Sequence, residues 1–156
     1  QIKYVILDAD SLNSFQKKTK KLLRYLDKNK LITPHQAEFH RLFPAIKRNL
    51  NNKEKVLKFL KLCKSNILLK GNTTVIGSSD KIVINKHTSS ELAVIGSGDV
   101  LAGIITSLVG DKKMSMNEAA SAATWIHGDI AKHHGRGLIS EDLVKDIPAA
   151  LQRLKK

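Results

Sequence analysis

Gly96-Ser-Gly-Asp-Val-Leu-Ala-Gly103 decides the reading of this chain. A glycine turn that ends in an acid and runs straight into an apolar helix leaves backbone N–H groups unpaired at the helix N-terminus. The aligned peptide dipoles there favour anions. The N–H groups of Ser97, Gly98 and Asp99 are therefore predicted to cradle a phosphate. Asp99 would repel that anion rather than hold it. It is better placed to take a proton from a hydroxyl that attacks a phosphoryl group, a transfer in which the protein mostly positions and neutralises. The plainer alternative is a helix entry in which Gly96 and Gly98 relieve crowding and Asp99 complements the helix dipole. Neither the dinucleotide fingerprint G-x-G-x-x-G nor the P-loop G-x-x-x-x-G-K-[ST] is present.

Around this turn lie 156 residues, 42% of them hydrophobic, enough for one domain with a single core. Cys63 is the single cysteine, which excludes an intrachain disulfide and a cysteine zinc site and fits a reducing cytoplasm; it reads as a half-buried helix thiol. No apolar run reaches the ~20 residues of a membrane span, and the N-terminus lacks the layout of a signal peptide. The net charge of +13 raises the question of nucleic acid, with lysines clustered at Lys17, Lys18, Lys20 and Lys21 and again from Lys53 to Lys64. Aromatics are only 4%, and the second cluster interleaves with Val56, Leu57, Phe59, Leu60 and Leu62. These are read as solvated lysine faces of amphipathic helices, not a nucleic-acid surface. The charge still helps to attract an anionic nucleotide.

Ile2–Leu7 reads as a strand buried on both faces, ended by Asp8-Ala-Asp-Ser-Leu-Asn13. A helix is expected from Ser14 to Lys30. A short strand at 31–33 closes on Pro34, and a short helix runs from His35 to Phe43 before Pro44. Asn51–Lys64 reads as a helix and Ile67–Leu69 as a buried strand. Thr73–Ile76 and Ile82–Ile84 form a hairpin around Gly77-Ser-Ser-Asp80. A loop from Asn85 to Ile95 delivers the glycine turn. Helices are then expected over 99–109, over 116–134, and from Ser140, read as the N-cap, to Leu154. Strands alternating with helices predict an α/β fold, a largely parallel sheet flanked by helices in one domain over 1–156.

Several segments together resemble the ADP/ATP-dependent NAD(P)H-hydrate dehydratases. They are Asp8-Ala-Asp-Ser-Leu-Asn13, Ile32-Thr-Pro-His-Gln-Ala-Glu-Phe39, Leu68-Leu-Lys-Gly-Asn-Thr-Thr74, the glycine turn, His127-Gly-Asp-Ile-Ala131 and Gly137-Leu-Ile-Ser-Glu-Asp-Leu143. They occur in that family's order and near its spacing over essentially the whole chain. The resemblance implies a ribokinase-like fold and a cofactor-repair reaction. The S epimer of hydrated NADH or NADPH is phosphorylated on its ring hydroxyl at the expense of ADP or ATP, with Mg²⁺, and phosphate is then eliminated. ADP is favoured over ATP.

The resemblance also distributes roles. Asp99 would be the base and a substrate contact. Gly96, Ser97 and Gly98 would hold the transferring phosphoryl group, and Lys70, Gly71, Asn72, Thr73 and Thr74 would bind the nucleotide. His35 would contact substrate, with Glu38 supporting it or capping the helix. Asp10 and Asn13 lie where the first strand ends, at the edge where α/β proteins collect ligands, so a substrate or metal-water contact stands beside a turn-forming role. His127, His133 and His134 lack companion ligands at a metal spacing and are read as structural or solvated, with no protein metal site expected. Trp125 reads as core.

The chain departs from the family pattern in places. Ala37 stands where the family has glycine, a costly change if that position needs a positive φ. Val94 and Ile95 replace small or hydroxylated residues, and the segment around His127 is shorter. Family domains carry a sizeable further segment, with a glycine-rich stretch that helps to bind substrate, before the Asp-Ala-Asp-x-Leu-Asn strand. The resemblance thus implies either a homo-oligomer or partner chain that supplies the N-terminal portion, a longer chain, or a reduced, non-catalytic product. A small-molecule kinase for a sugar or vitamin-precursor alcohol shares the glycine turn but not the Thr-Pro-His motif.

Overall fold

A computed structural model of the protein describes residues 3–154. Five strands form one sheet in the order β1 (Val5–Leu7), β2 (Lys30–Ile32), β3 (Asn66–Leu69), β4 (Thr74–Gly77), β5 (Ile82–Asn85). β1, β2 and β3 run parallel, with Ile6 opposite Leu31 and Ile32 opposite Ile67. The β4–β5 hairpin continues the sheet antiparallel, with Leu68 opposite Ile76. Ile2, which the sequence placed in the first strand, lies outside the described residues.

Strand alternation splits the core in two. Ile67 and Leu69 join Leu7, Ile32 and Val75 on one face, under α1 (Ala9–Asn13), α2 (Thr19–Tyr25), α3 (Gln36–Leu42) and α4 (Asn52–Leu60). Phe43 packs there between Phe39 and Phe59, each ring centroid 5.2 Å from its own. Leu31, Leu68 and Ile76 point to the other face, under α5 (Ser97–Gly110), α6 (Met116–His134), α7 (Ser140–Lys145) and α8 (Ile147–Arg153).

Four local expectations are corrected. The helix foreseen from Ser14 to Lys30 is only the seven residues of α2, because Lys17 takes φ +61° and Asp27 accepts from the Asn29 N–H in a turn that ends it. The helix foreseen from Asn51 to Lys64 stops at Leu60; Leu57 within it and Leu62 beyond it are exposed, while Lys55 is buried and donates to Gln36 Oε1. The last helix breaks into α7 and α8, since Pro148 has no N–H to continue it. Ser140 is not the N-cap, a place taken by Ile139; its hydroxyl instead donates to the Ile95 carbonyl. Trp125 is half-buried at the rim of the core, its ring stacked on His87 at 4.9 Å.

Candidate active site

The carboxyl ends of β1, β2 and β3 point their following loops toward the start of α5, and a cleft of about 820 Å³ opens there. Its walls are the His35–Ala37 start of α3, most of the 70–74 loop, residues 88–90 and 92–94, and Ser97, Gly98, Leu101, Thr124 and His127 from α5 and α6. Ligands of α/β sheets collect at this edge.

Gly96 makes the turn with φ +80°, a left-handed conformation that a side chain resists, and an added Cβ would lie 2.8 Å from Ser140 Oγ. α5 begins two residues earlier than the sequence suggested, and the Ser97 N–H is spent on the Val94 carbonyl at 3.3 Å. Gly98 and Asp99 keep N–H groups with no protein acceptor among the described residues. The predicted cradle is thus two amides wide rather than three.

Beside it stands an acid that the sequence reading passed over. Asp8, at the end of β1, holds Lys70 Nζ at 2.8 Å from its Oδ1. A Cβ placed on Gly98 would lie 3.3 Å from Asp8 Oδ2 and 3.6 Å from Lys70 Nζ. The Lys70 ammonium and the Asp8 carboxylate that holds it therefore both stand beside Gly98, and the ammonium next to the free amides offers donors for a phosphate. The signal was present in the sequence, since Asp8 ends a buried strand as Lys70 does.

The loop carrying Lys70 is pinned from α4. Gln36 Nε2 donates to Asn52 Oδ1 and to the Lys70 carbonyl, and Asn52 Nδ2 donates to the Thr73 carbonyl at 2.7 Å. Thr74 is buried, its hydroxyl donating to the Gly71 carbonyl. Of the expected nucleotide segment, Lys70, Gly71, Asn72 and Thr74 line the cleft, and Thr73 does not.

His35 both caps α3 and lines the cleft. Its Nδ1 accepts from the Ala37 and Glu38 amides, so its proton sits on Nε2, 3.5 Å from Glu38 Oε1. Glu38 is buried and returns the cap by accepting from the His35 N–H at 2.8 Å. Ala37 sits in the first turn of α3 without a positive φ, so alanine costs nothing in backbone strain there.

Asp99 is exposed on the first turn of α5 and is not part of the cleft wall. At ~100° per residue, positions 97 and 101 share the cleft face and position 99 turns away from it. Asp10 and Asn13 also lie off the wall. Asn13 Nδ2 donates to Asp10 Oδ1 at 3.3 Å, and Asn13 Oδ1 accepts from Gln16 and Arg41. His133 Nδ1 donates to the Asp129 carbonyl, and His134 sits between Asp142 and Asp146. His127 is buried against Ser97 Oγ at 3.2 Å, and burial pushes its imidazole down to about 4, helped by the Lys70 charge and opposed by a hydrogen bond with the Ser97 backbone. Among the described residues no helix is long and apolar enough to cross a membrane.

Comparison with known proteins identifies relatives of this chain. A family profile described as NAD(P)H-hydrate dehydratase matches residues 1–149. The ADP-dependent (S)-NAD(P)H-hydrate dehydratase of Neisseria meningitidis serogroup B is 39% identical over 134 residues, covering 83% of this chain and 45% of that protein. The ADP/ATP-dependent NAD(P)H-hydrate dehydratase of Bacillus subtilis, co-crystallized with ATP/Mg²⁺ and soaked with CoA, superposes with a TM-score of 0.72 at 26% identity over 96% of this chain and 56% of that one. A ribokinase-like superfamily protein of Enterococcus faecalis shares the fold alone, with a TM-score of 0.81 at 21% identity over 98% of this chain and 54% of that one. The chain spans about half the length of these relatives. By its profile match, its motifs and its ribokinase-like fold, this chain belongs to the NAD(P)H-hydrate dehydratase family.

Proposed function

We propose that this chain supplies the nucleotide cleft and the base of an ADP-using dehydratase acting on the S epimer of hydrated NADH or NADPH. The observation that carries the reading is Lys70 Nζ, held by Asp8, standing beside Gly98 at the turn whose Gly98 and Asp99 amides are free. The nucleotide lies along Lys70–Thr74, its terminal phosphate on Gly98. From the open side of the turn, outside the cleft wall, the Asp99 carboxylate takes the proton of the substrate's ring hydroxyl, and that oxygen attacks the terminal phosphorus, releasing AMP from ADP. Loss of a proton from the neighbouring carbon expels phosphate and restores the ring double bond. His35, through its Nε2–H, contacts the substrate.

Mg²⁺ fits this site as a companion of the phosphates, where it neutralises their charge. The described residues hold no cluster of three or more metal-ligating side chains, and Asp8 places one carboxylate beside Gly98. That donor set suits an ion which keeps its waters and binds largely through substrate phosphate.

The substrate side is open. Asp99 is exposed, and Ile95, just before the turn, is 99% exposed. Further polypeptide, in the same chain or a partner, completes that side in this reading, and the reaction takes place in the cytoplasm. The test is recovery of the near-ultraviolet absorbance of reduced nicotinamide when the full-length protein, Mg²⁺ and ADP, then ATP, meet S-configured NADH hydrate. Recovery that disappears in Asp99→Asn supports the proposal. Phosphorylation of an unrelated alcohol without recovery would replace it with a small-molecule kinase.

A further inference from the structure

The chemistry just proposed uses none of His127-Gly-Asp129, yet this triplet on α6 touches both walls of the cleft. His127 Nε2 is hydrogen-bonded to Ser97 Oγ at 3.2 Å, both groups buried, directly beneath the turn that carries the free amides. Gly128 meets the opposite wall. A Cβ there would lie 1.8 Å from the His87 carbonyl oxygen, so only a bare α-carbon lets the loop after β5 seat on the helix.

Asp129 then fastens that loop. Its Oδ1 lies 3.4 Å from His87 Nε2, and its Oδ2 accepts from Arg153 Nε and Nη2, each at 2.7 Å. Lys132 Nζ donates to His87 Nδ1 at 3.0 Å, which leaves the ring proton on Nε2, facing the carboxylate. The His87 ring is stacked on Trp125 with 7° between planes. One residue further, Thr88 Oγ1 donates to the Asn72 carbonyl at 3.0 Å, so the fastened loop supports the expected nucleotide segment directly.

From these contacts we infer that His127, Gly128 and Asp129 are positioning residues with divided tasks: His127 sets the glycine turn for the transfer step, and Gly128 with Asp129 sets the loop that holds the nucleotide. Three adjacent residues thereby fix the distance between nucleotide and turn, because one rigid helix carries both supports. Misplacement of a reacting group by about 1 Å costs on the order of a hundredfold in rate, so such a spacer has value even without touching a ligand.

Because this rests on the nucleotide reading of the cleft, its test joins three readouts on the full-length protein: hydrate turnover, ADP binding by calorimetry, and trypsin cleavage after the exposed Lys86. His127→Gln is expected to lower kcat about tenfold with ADP affinity held within about twofold. Gly128→Ala and Asp129→Asn are expected to weaken ADP binding about tenfold, keep kcat at saturating ADP within about threefold, and speed cleavage at Lys86. A structural role alone would move all variants the same way, in step with their melting temperatures, and that result overturns the division. If the parent binds ADP without turnover, the dehydratase reading fails while the loop assignment is still decided by calorimetry. If it binds no ADP, cleavage at Lys86 decides it, and rates equal to the parent's in Gly128→Ala and Asp129→Asn overturn it.

Discussion

Lys70 Nζ lies 2.8 Å from Asp8 Oδ1, an ion pair between residues 62 apart in sequence that ties the ends of β1 and β3 beside Gly98. Both side chains are mostly shielded, with 25% and 14% exposure, so the pair is more than a surface contact. Its use is directional. A lysine is a flexible point charge, and a fixed carboxylate limits where the ammonium can go.

Asp8→Asn keeps the shape and removes the charge. The ammonium is then free to sample other rotamers, and ADP binding should weaken about fivefold, or ~1 kcal/mol, by calorimetry. Lys70→Met should weaken it further, since the cation itself is lost. Unchanged affinity in both variants would remove Lys70 from the nucleotide site.

Gly96→Ala tests the turn. Its φ of +80° costs an alanine about 1–2 kcal/mol, and the new Cβ would press on Ser140 Oγ at 2.8 Å. Urea denaturation should show this loss. Adding Ser140→Ala should return only the contact part of it, because the backbone strain stays; full recovery would mean that φ is not the cause.

Cys63 is half-buried past the end of α4, and burial pushes its thiol up to about 11, against a lowering hydrogen bond from the Ser65 backbone. A thiol so raised from an ordinary 9.0 presents about a hundredth of the usual thiolate. Its labelling by a disulfide reagent at pH 8 should therefore be slow in the native protein and fast in urea. Equal rates would show that the thiol is open to solvent.

The architecture was legible because each decisive stretch carries its own physics: apolar runs for β1 to β3, and a glycine pair before an apolar helix for α5. What the sequence did not reveal was fixed by contacts between distant residues. Lys17 breaks a lysine-rich helix with a positive φ that its composition gives no hint of. Asp8 acquires a partner 62 residues away, and Ser97 loses its amide to Val94, neither of which a motif shows. The contacts of the histidine-glycine-aspartate motif do not show in the sequence, because its partners, Ser97 and His87, are 30 and more residues upstream. Pro148 was legible and was passed over, since it marks the start of α8 by the ordinary rule for a first-turn proline.

His127 gives a pH prediction with a definite sign. Burial lowers its imidazole from 6.5 to about 4, so the folded protein holds it neutral while the unfolded chain takes up a proton below pH 6.5. Between about 6.5 and 4 the unfolded state binds more protons, and stability must fall as pH falls through that window, by about 3 kcal/mol at most. Asp129 acts below it: burial would raise its carboxyl, but Arg153, with lesser help from His133 and His87, holds it under the usual value. Its contribution is complete above the unfolded carboxylate pKa and is lost only in stronger acid. His127→Gln cannot gain a proton, so its stability in urea titrations should decline less steeply from pH 6.5 to 4 than the parent's, the remaining slope coming from other groups such as His40, whose imidazole is also lowered by burial. Parallel curves would mean that His127 is solvated and freely protonated, and would detach it from Ser97.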